Sequence, residues 1–165
     1  MTRKSIYLAS PLGFADSTRP YMDSLVELLS KHVDVLNPWD KHDFDEDFAR
    51  LATENDFASR RTQLFKINTE IGKLNAADID RADGVFAILD GVDVDSGTAS
   101  EIGYGFAKGK FICGMRTDFR LSADNYGSTV NLQVEYFISA SGGTIVHTAE
   151  ELAQLAQVFS ATNCA

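Results

Sequence analysis

Short hydrophobic runs alternate along this chain with longer segments in which hydrophobic residues recur every three or four positions. Apolar runs of about four to eight residues are typical of strands buried on both faces, and the longer period is typical of amphipathic helices. The runs predict five strands, at residues 6–9, 33–36, 84–89, 111–115 and 144–146. The periodic segments predict five helices, at residues 20–31, 56–81, 97–108, 131–141 and 149–159.

The same periodicity selects the helix positions that should face a sheet. In chain order these are Leu25, Leu28, Leu29, Leu64, Ile67, Ile71, Leu74, Ile79, Ala99, Ile102, Phe106, Ala107, Leu152, Leu155 and Val158. Gly72 is the position at which the long helix at 56–81 could break, because glycine is a poor helix former.

Strands that alternate with helices indicate a parallel sheet covered by helices. We therefore predict an α/β fold, a single domain over residues 1–165 with a doubly wound five-stranded parallel sheet in the flavodoxin-like order 2-1-3-4-5. A chain of 165 residues that is 44% hydrophobic can bury a core of useful size without disulfides or a structural metal.

The net charge and the cysteine content indicate which classes of binding partner and which cellular compartment to expect. The chain carries 15 basic and 24 acidic residues, a formal net charge of −9, which repels phosphate backbones and acidic membrane surfaces. We expect neither a nucleic-acid polymer nor a membrane as partner. Cys113 lies in a predicted strand and Cys164 beside the C-terminus, so we expect no bridge and a reducing, cytoplasmic location. The chain leads into its first strand without an apolar signal segment.

The sequence motifs of several common enzyme classes are absent from this chain. The Gly-x-Gly-x-x-x-Gly pattern at 103–109 lies inside a predicted helix and has the wrong spacing for a dinucleotide site. No phosphate-binding P-loop and no Gly-x-Ser-x-Gly elbow occur. His32, His42 and His147 are scattered without ligand spacing. We therefore expect no metal and no cofactor, and chemistry carried by carboxylates.

Two carboxylates flank the start of the helix that follows the third predicted strand. Asp95 and Glu101 lie within about two helical turns of each other, at the sheet edge where open α/β proteins bind ligands. Such a pair can perform carboxylate catalysis. In the alternative reading, Asp95 and Ser96 only cap the helix and Glu101 only complements its dipole.

The segment at 37–47 is rich in turn-forming, acidic and aromatic residues. We predict that it forms a lid or pocket wall, with a solvated loop anchored by Trp39 as the alternative. The long helix at 56–81 brings Asn75 and Asp78 to the point where the third strand begins.

Four blocks of the sequence together resemble the nucleoside 2-deoxyribosyltransferase family. Ile-Tyr-Leu-Ala-Ser-Pro-Leu-Gly-Phe at 6–14 resembles its first strand and ligand loop, and Asp-Gly-Val-Phe-Ala-Ile at 83–88 resembles its central strand. Asp-Ser-Gly-Thr-Ala-Ser-Glu-Ile-Gly at 95–103 is similar to the family's Asp-x-Gly-x-x-x-Glu-x-Gly element. Asn-Leu-Gln at 131–133 resembles the segment that a neighbouring subunit contributes to the pocket.

The resemblance implies transfer of 2-deoxyribose between purine or pyrimidine bases through a covalent intermediate, with retention of configuration. A retaining reaction requires a carboxylate nucleophile, and the resemblance places it at Glu101. Asp95 would bind the sugar hydroxyls and orient the nucleophile. Tyr7 would contact the nucleophile's carboxylate or the sugar, and a core aromatic residue is its alternative reading.

The resemblance also implies a set of substrate contacts. Those for the base and sugar are Leu12, Gly13, Phe14, Trp39, Asn75, Asp78, Ser96 and Gly97. Asn131 and Gln133 would come from a partner chain, so we expect a homo-oligomer built from dimers, up to a hexamer, whose substrates are deoxynucleosides and free nucleobases.

Position 75 departs from the family pattern. Many members carry there an aspartate that protonates the leaving base, whereas an amide cannot exchange a proton in this way. Either Asp78 takes that task or the base is protonated from water, although the sequence favours a surface acid at Asp78. The main alternative function is an N-glycoside hydrolase of nucleosides or deoxynucleoside 5'-monophosphates, followed by a non-catalytic nucleotide-binding module.

Overall fold

A parallel sheet of five strands forms the centre of the protein in a computed structural model that describes residues 3–41, 43–120 and 125–162. The strands are β1 (Ser5–Ala9), β2 (Asp34–Leu36), β3 (Gly84–Ile88), β4 (Phe111–Met115) and β5 (Ile145–Val146). Their order is β2-β1-β3-β4-β5 and every neighbouring pair is parallel. The predicted fold class and strand order are therefore confirmed.

Within the described residues, six helices and two short 3-10 turns surround the sheet. The helices are α1 (Arg19–Leu29), α2 (Asp45–Ala52), α3 (Phe57–Arg81), α4 (Ser96–Ala107), α5 (Leu132–Ala140) and α6 (Ala149–Ala161). The 3-10 turns, Leu12–Phe14 and Pro38–Asp40, follow β1 and β2. His42 and Cys164, discussed above from the sequence, lie outside the described residues.

Both faces of the sheet are covered, and alternate strand residues fill two separate cores. On one face Tyr7 and Val85 pack with residues of α3, α4 and α5, such as Ile102. On the other face Leu8 and Phe86 pack with residues of α1 and α6. This two-sided burial explains why the strands appear in the sequence as continuous apolar runs.

Three positions that the periodicity assigned to the sheet are exposed instead. Val158 is 62% exposed, and Ala156 and Phe159 are buried instead, because positions four and seven residues after Leu152 share its helix face whereas position six has rotated away. Leu74 and Ala107 are also exposed.

The extent and the number of the helices also differ from the prediction. α3 runs without a break through Gly72, where a side chain would meet open space. α2 was not predicted, because its acidic first turn resembles a solvated loop in the sequence. Carboxylates at a helix N-terminus instead stabilise the helix.

Among the described residues, no helix combines the length and hydrophobicity needed to cross a membrane.

The strand register positions the site. Ala9 at the end of β1 lies opposite Ala87 near the end of β3, so the segments that follow these two central strands start from the same edge of the sheet. α4 packs closely on β3, since a Cβ on Gly105 would lie 2.8 Å from a methyl carbon of Val85. The start of α4 is thereby held above that edge.

Candidate active site

A cleft of about 800 Å³ opens at the carboxyl edge of the sheet. Its walls come from the segments after β1 and β2, from α1, α2 and α3, and from the first two turns of α4. Glu101 and Asp95, the two carboxylates singled out by the sequence, both line it. This is the position at which doubly wound folds bind their ligands.

Glu101 projects from the second turn of α4 and is held by Tyr7 of β1. The Tyr7 hydroxyl donates a hydrogen bond to Glu101 Oε1 at an oxygen–oxygen distance of 2.5 Å. Tyr7 itself is fully buried in the core beneath the cleft. Both readings of Tyr7 thus describe the same side chain: its ring packs in the core and its hydroxyl contacts the carboxylate.

The environment of Glu101 raises its pKa from 4.5 to about 7. Burial is the largest cause, because it penalises the charged carboxylate. The hydrogen bond from Tyr7 opposes this effect, the negative charge of Asp95 adds to it, and the positive charge of Lys41 opposes it. A carboxylate in a cleft whose pKa lies near neutrality is typical of functional sites.

Asp95 caps α4 and lines the cleft at the same time. Its Oδ2 accepts a hydrogen bond from the backbone N–H of Thr98 at 3.0 Å, so Asp95 is the helix cap, whereas Ser96 is the first residue of the helix. The cap also fixes the orientation of the carboxylate. Gly97 lines the cleft beside it, whereas Ser96 is exposed and lies outside the lining.

Trp39 and Phe14 form an aromatic pair in the wall, to which Phe44 and Phe48 also contribute rings. The Trp39 indole N–H donates to the Ser10 carbonyl at 2.8 Å, and the Phe14 ring meets the indole edge-on with centroids 4.6 Å apart. A Cβ on Gly13 would lie 2.0 Å from the indole, so only glycine permits this approach. Phe14 is 73% exposed, whereas Leu12 is half-buried and packs towards the sheet.

The segment predicted as a lid or pocket wall does contribute to the cleft. The lining includes its residues Pro38, Trp39, Asp40, Lys41 and Phe44. The indole anchor and the 3-10 turn at Pro38–Asp40 hold the segment against β1.

Lys41 and Asp78 form an ion pair that the sequence did not reveal. Lys41 Nζ lies 2.6 Å from Asp78 Oδ2 and donates to Asn75 Oδ1 at 3.2 Å. Arg81 contacts the second oxygen of Asp78 at 2.8 Å. Asp78 is only 8% exposed, so its interpretation as a surface acid is wrong. The one available signal was a lysine within an otherwise acidic, aromatic segment.

This pairing controls the charge of Asp78. Burial by itself would raise the pKa of its carboxyl, but the hydrogen bonds from Lys41 and Arg81 outweigh burial and leave the pKa below its ordinary value. Asp78 is therefore ionised at neutral pH. An ionised, doubly paired carboxylate has no proton to give to a leaving base.

Asn131 and Gln133 lie away from the cleft of their own chain. Asn131 caps α5, its side-chain oxygen accepting from the Gln133 backbone N–H at 3.0 Å, and neither residue belongs to the lining. The neighbouring α5 residues Leu132 and Tyr136 expose apolar surface. The contribution of this segment to a partner's site stays a prediction.

The sequence pattern of a known family extends over most of this site. The family described as nucleoside 2-deoxyribosyltransferase matches residues 6–133. The chain belongs to this family. The match begins in β1 with Tyr7 neighbouring its first residue, includes the whole of α4, and ends at Gln133 in the first turn of α5.

Three solved structures share the fold of this family member. A conserved protein from Enterococcus faecalis V583 has 23% identity and a TM-score of 0.68, over 96% of this chain and 99% of the other. A 2-deoxyribosyltransferase from Bacillus psychrosaccharolyticus has 24% identity and a TM-score of 0.59, over 90% of each chain. A CMP N-glycosidase from Clostridium botulinum has 19% identity and a TM-score of 0.55, over 94% and 99%. No curated protein matches the sequence.

Proposed function

We propose that this member of the family transfers 2-deoxyribose between nucleobases, with Glu101 as the nucleophile. The observation that carries the proposal is the buried carboxylate of Glu101, held by Tyr7 in the wall of a cleft large enough for a nucleoside. Glu101 Oε attacks the anomeric carbon, and the electron pair of the carbon–nitrogen bond leaves with the base. A second base then attacks the glycosyl-enzyme and frees Glu101, and two inversions give net retention.

The remaining residues receive roles that fit their positions. Asp95, fixed by its bond to Thr98, would accept hydrogen bonds from the sugar hydroxyls beside the start of α4. The Trp39 and Phe14 rings would supply an apolar surface for the base. Stacking of this kind tolerates different nucleobases, because every base has an aromatic face. Because Asp78 is ionised, the proton for a departing base would come from water.

The charge of the cleft favours an uncharged nucleoside over a nucleotide. Among the described lining residues, the acidic side chains are Asp23, Asp40, Asp45, Asp95 and Glu101, and the basic ones are Arg19 and Lys41. Lys41 is further paired with Asp78. A dianionic 5'-phosphate would be repelled by this excess of carboxylates. We therefore expect a deoxynucleoside to react faster than its 5'-monophosphate.

The decisive experiment is incubation of the protein with deoxyinosine and adenine, followed by chromatography. Formation of deoxyadenosine supports the transferase, whereas hypoxanthine with free deoxyribose identifies an N-glycoside hydrolase, and no reaction favours a binding module. Glu101→Ala should lower turnover by at least about a thousandfold, because the covalent route loses its nucleophile. Glu70→Ala, on the exposed face of α3, is the matched control.

A 2-fluoro-arabino nucleoside tests the identity of the nucleophile directly. Glu101 should displace the base and accumulate as an ester of the fluorinated sugar, which mass spectrometry of peptides would locate. An adduct on another carboxylate would contradict the assignment.

The shared-site proposal requires a separate test. If Asn131 and Gln133 complete a neighbour's cleft, inactive Glu101→Ala and Asn131→Ala subunits should regain part of the activity when dissociated and reassembled together. Full activity of a monomer, or mixed oligomers without recovered activity, would contradict it.

A further inference from the structure

Lys41 reaches across the cleft wall to the face of α3 that looks into the cleft. Asn68, Ile71 and Asn75 of that face line the cleft, and Asp78 continues it one turn after Asn75. The ammonium group of Lys41 contacts Asn75 Oδ1 at 3.2 Å and Asp78 Oδ2 at 2.6 Å. Two successive turns of the helix are thus joined to the segment after β2.

The contact decides how the Asn75 amide is oriented. A lysine ammonium carries three donors and no acceptor, so only the oxygen of the Asn75 amide can face it. The amide nitrogen then points to the other side. Among the described residues, that nitrogen has no hydrogen-bond acceptor, although Asn75 lines the cleft.

Asp78 keeps Lys41 in this position. Its carboxylate is buried and is also held by Arg81 at 2.8 Å, so the lysine is drawn against α3. A bond from a cation to the amide oxygen also polarises the amide and strengthens its N–H groups as donors.

We infer that Lys41 is a positioning residue for base recognition: it fixes Asn75 as a hydrogen-bond donor that reads an acceptor nitrogen or oxygen on the nucleobase. This inference rests on the proposed function, since it assumes that a nucleobase occupies the cleft beside Asn75. At this position a hydrogen bond from the Asn75 amide to the edge of the base would thus take the place of proton transfer by an aspartate.

Deaza analogues of adenine measure this contact. Each of 1-, 3- and 7-deazaadenine lacks one of the ring nitrogens that can accept the bond. The wild-type protein should bind one of the three about tenfold more weakly than adenine, as expected for the loss of one hydrogen bond. Binding is measured by calorimetry, and kcat/KM is measured with each base as acceptor of deoxyribose from deoxyinosine.

Substitutions of Lys41 separate positioning from general stability. Lys41→Met frees the amide to turn its oxygen to the cleft, so the tenfold discrimination should disappear. Lys41→Arg retains a cation that only donates and should preserve discrimination. Lys73→Met changes an exposed lysine of α3, the helix that carries Asn75. This control should leave the discrimination among the bases unchanged. The double variant Lys41→Met with Asp78→Asn removes the pair without leaving a buried carboxylate short of a cation, and melting curves confirm folding.

The outcomes distinguish the inference from the proposed function. Equal binding of all four bases to the wild type, or discrimination that persists in Lys41→Met and in the double variant, overturns the role of Lys41. If the wild type discriminates among the bases but neither transfers nor hydrolyses deoxyinosine, the proposed function fails while the binding role stands.

Discussion

Replacing Glu101 with glutamine should stabilise the protein, and the gain should grow with pH. The folded state raises the pKa of Glu101 from 4.5 to about 7, chiefly because burial penalises the ionised form. Between these two values the folded state binds more protons than the unfolded chain. Stability is therefore lost as the pH rises from 4.5 to about 7, and it changes no further above that range.

The size of the effect follows from the shift. At pH 5.5 the folded carboxyl is still largely protonated, and at pH 8 it is ionised, so the wild type loses about 2 kcal/mol of stability between the two through this group alone. Glutamine has the shape of the protonated acid and its Oε1 can still accept the bond from Tyr7. Its advantage over the wild type should grow by the same amount, which corresponds to about 4–8 °C in Tm for a chain of this size.

Urea denaturation and thermal melting at pH 5.5 and pH 8 measure this difference. Glu70→Gln is the control, because this substitution also removes one negative charge. Glu70 is an exposed helix residue paired with Lys73. A Glu101→Gln protein whose advantage at pH 8 is no greater than at pH 5.5 would refute the reasoning. The carboxylate would then carry no desolvation penalty, and its pKa would not be that of a buried acid.

Three other substitutions test the same contacts. Tyr7→Phe removes the donor that stabilises ionised Glu101, so the acid limb of the kcat/KM profile should move up by about one pH unit, and an unmoved limb would contradict the bond's role. Gly13→Ala forces a Cβ into the Trp39 indole and should cost about 1–3 kcal/mol and raise KM for the base, as melting and steady-state kinetics will show. Asp78→Asn should lower stability by about 1–3 kcal/mol but leave transfer from deoxyadenosine largely intact in steady-state kinetics, because Asp78 is ionised and cannot be the acid. Collapse of purine transfer in this variant would identify Asp78 as the proton donor.

The sheet was predictable because its signals are local. Residues 84–88 and 111–115 form uninterrupted apolar runs, and both became strands buried on two faces. α2 was missed because its acidic first turn, Asp45 to Asp47, has the composition of a solvated loop. The helix forms because carboxylates suit its N-terminus and Leu51 becomes buried.

The sequence was enough to place Asp95 and Glu101 near the start of α4, after the third strand, because that arrangement depends only on neighbouring residues. The family resemblance implied that Tyr7 contacts the nucleophile or the sugar, and the packed fold resolves this as a hydrogen bond to Glu101. The raised pKa of Glu101 and the Lys41 contacts with Asn75 and Asp78 come from the tertiary structure alone. Those features depend on burial and on distances of about 3 Å between residues far apart in the chain, and such short-range interactions exist only after the sheet and its helices have packed.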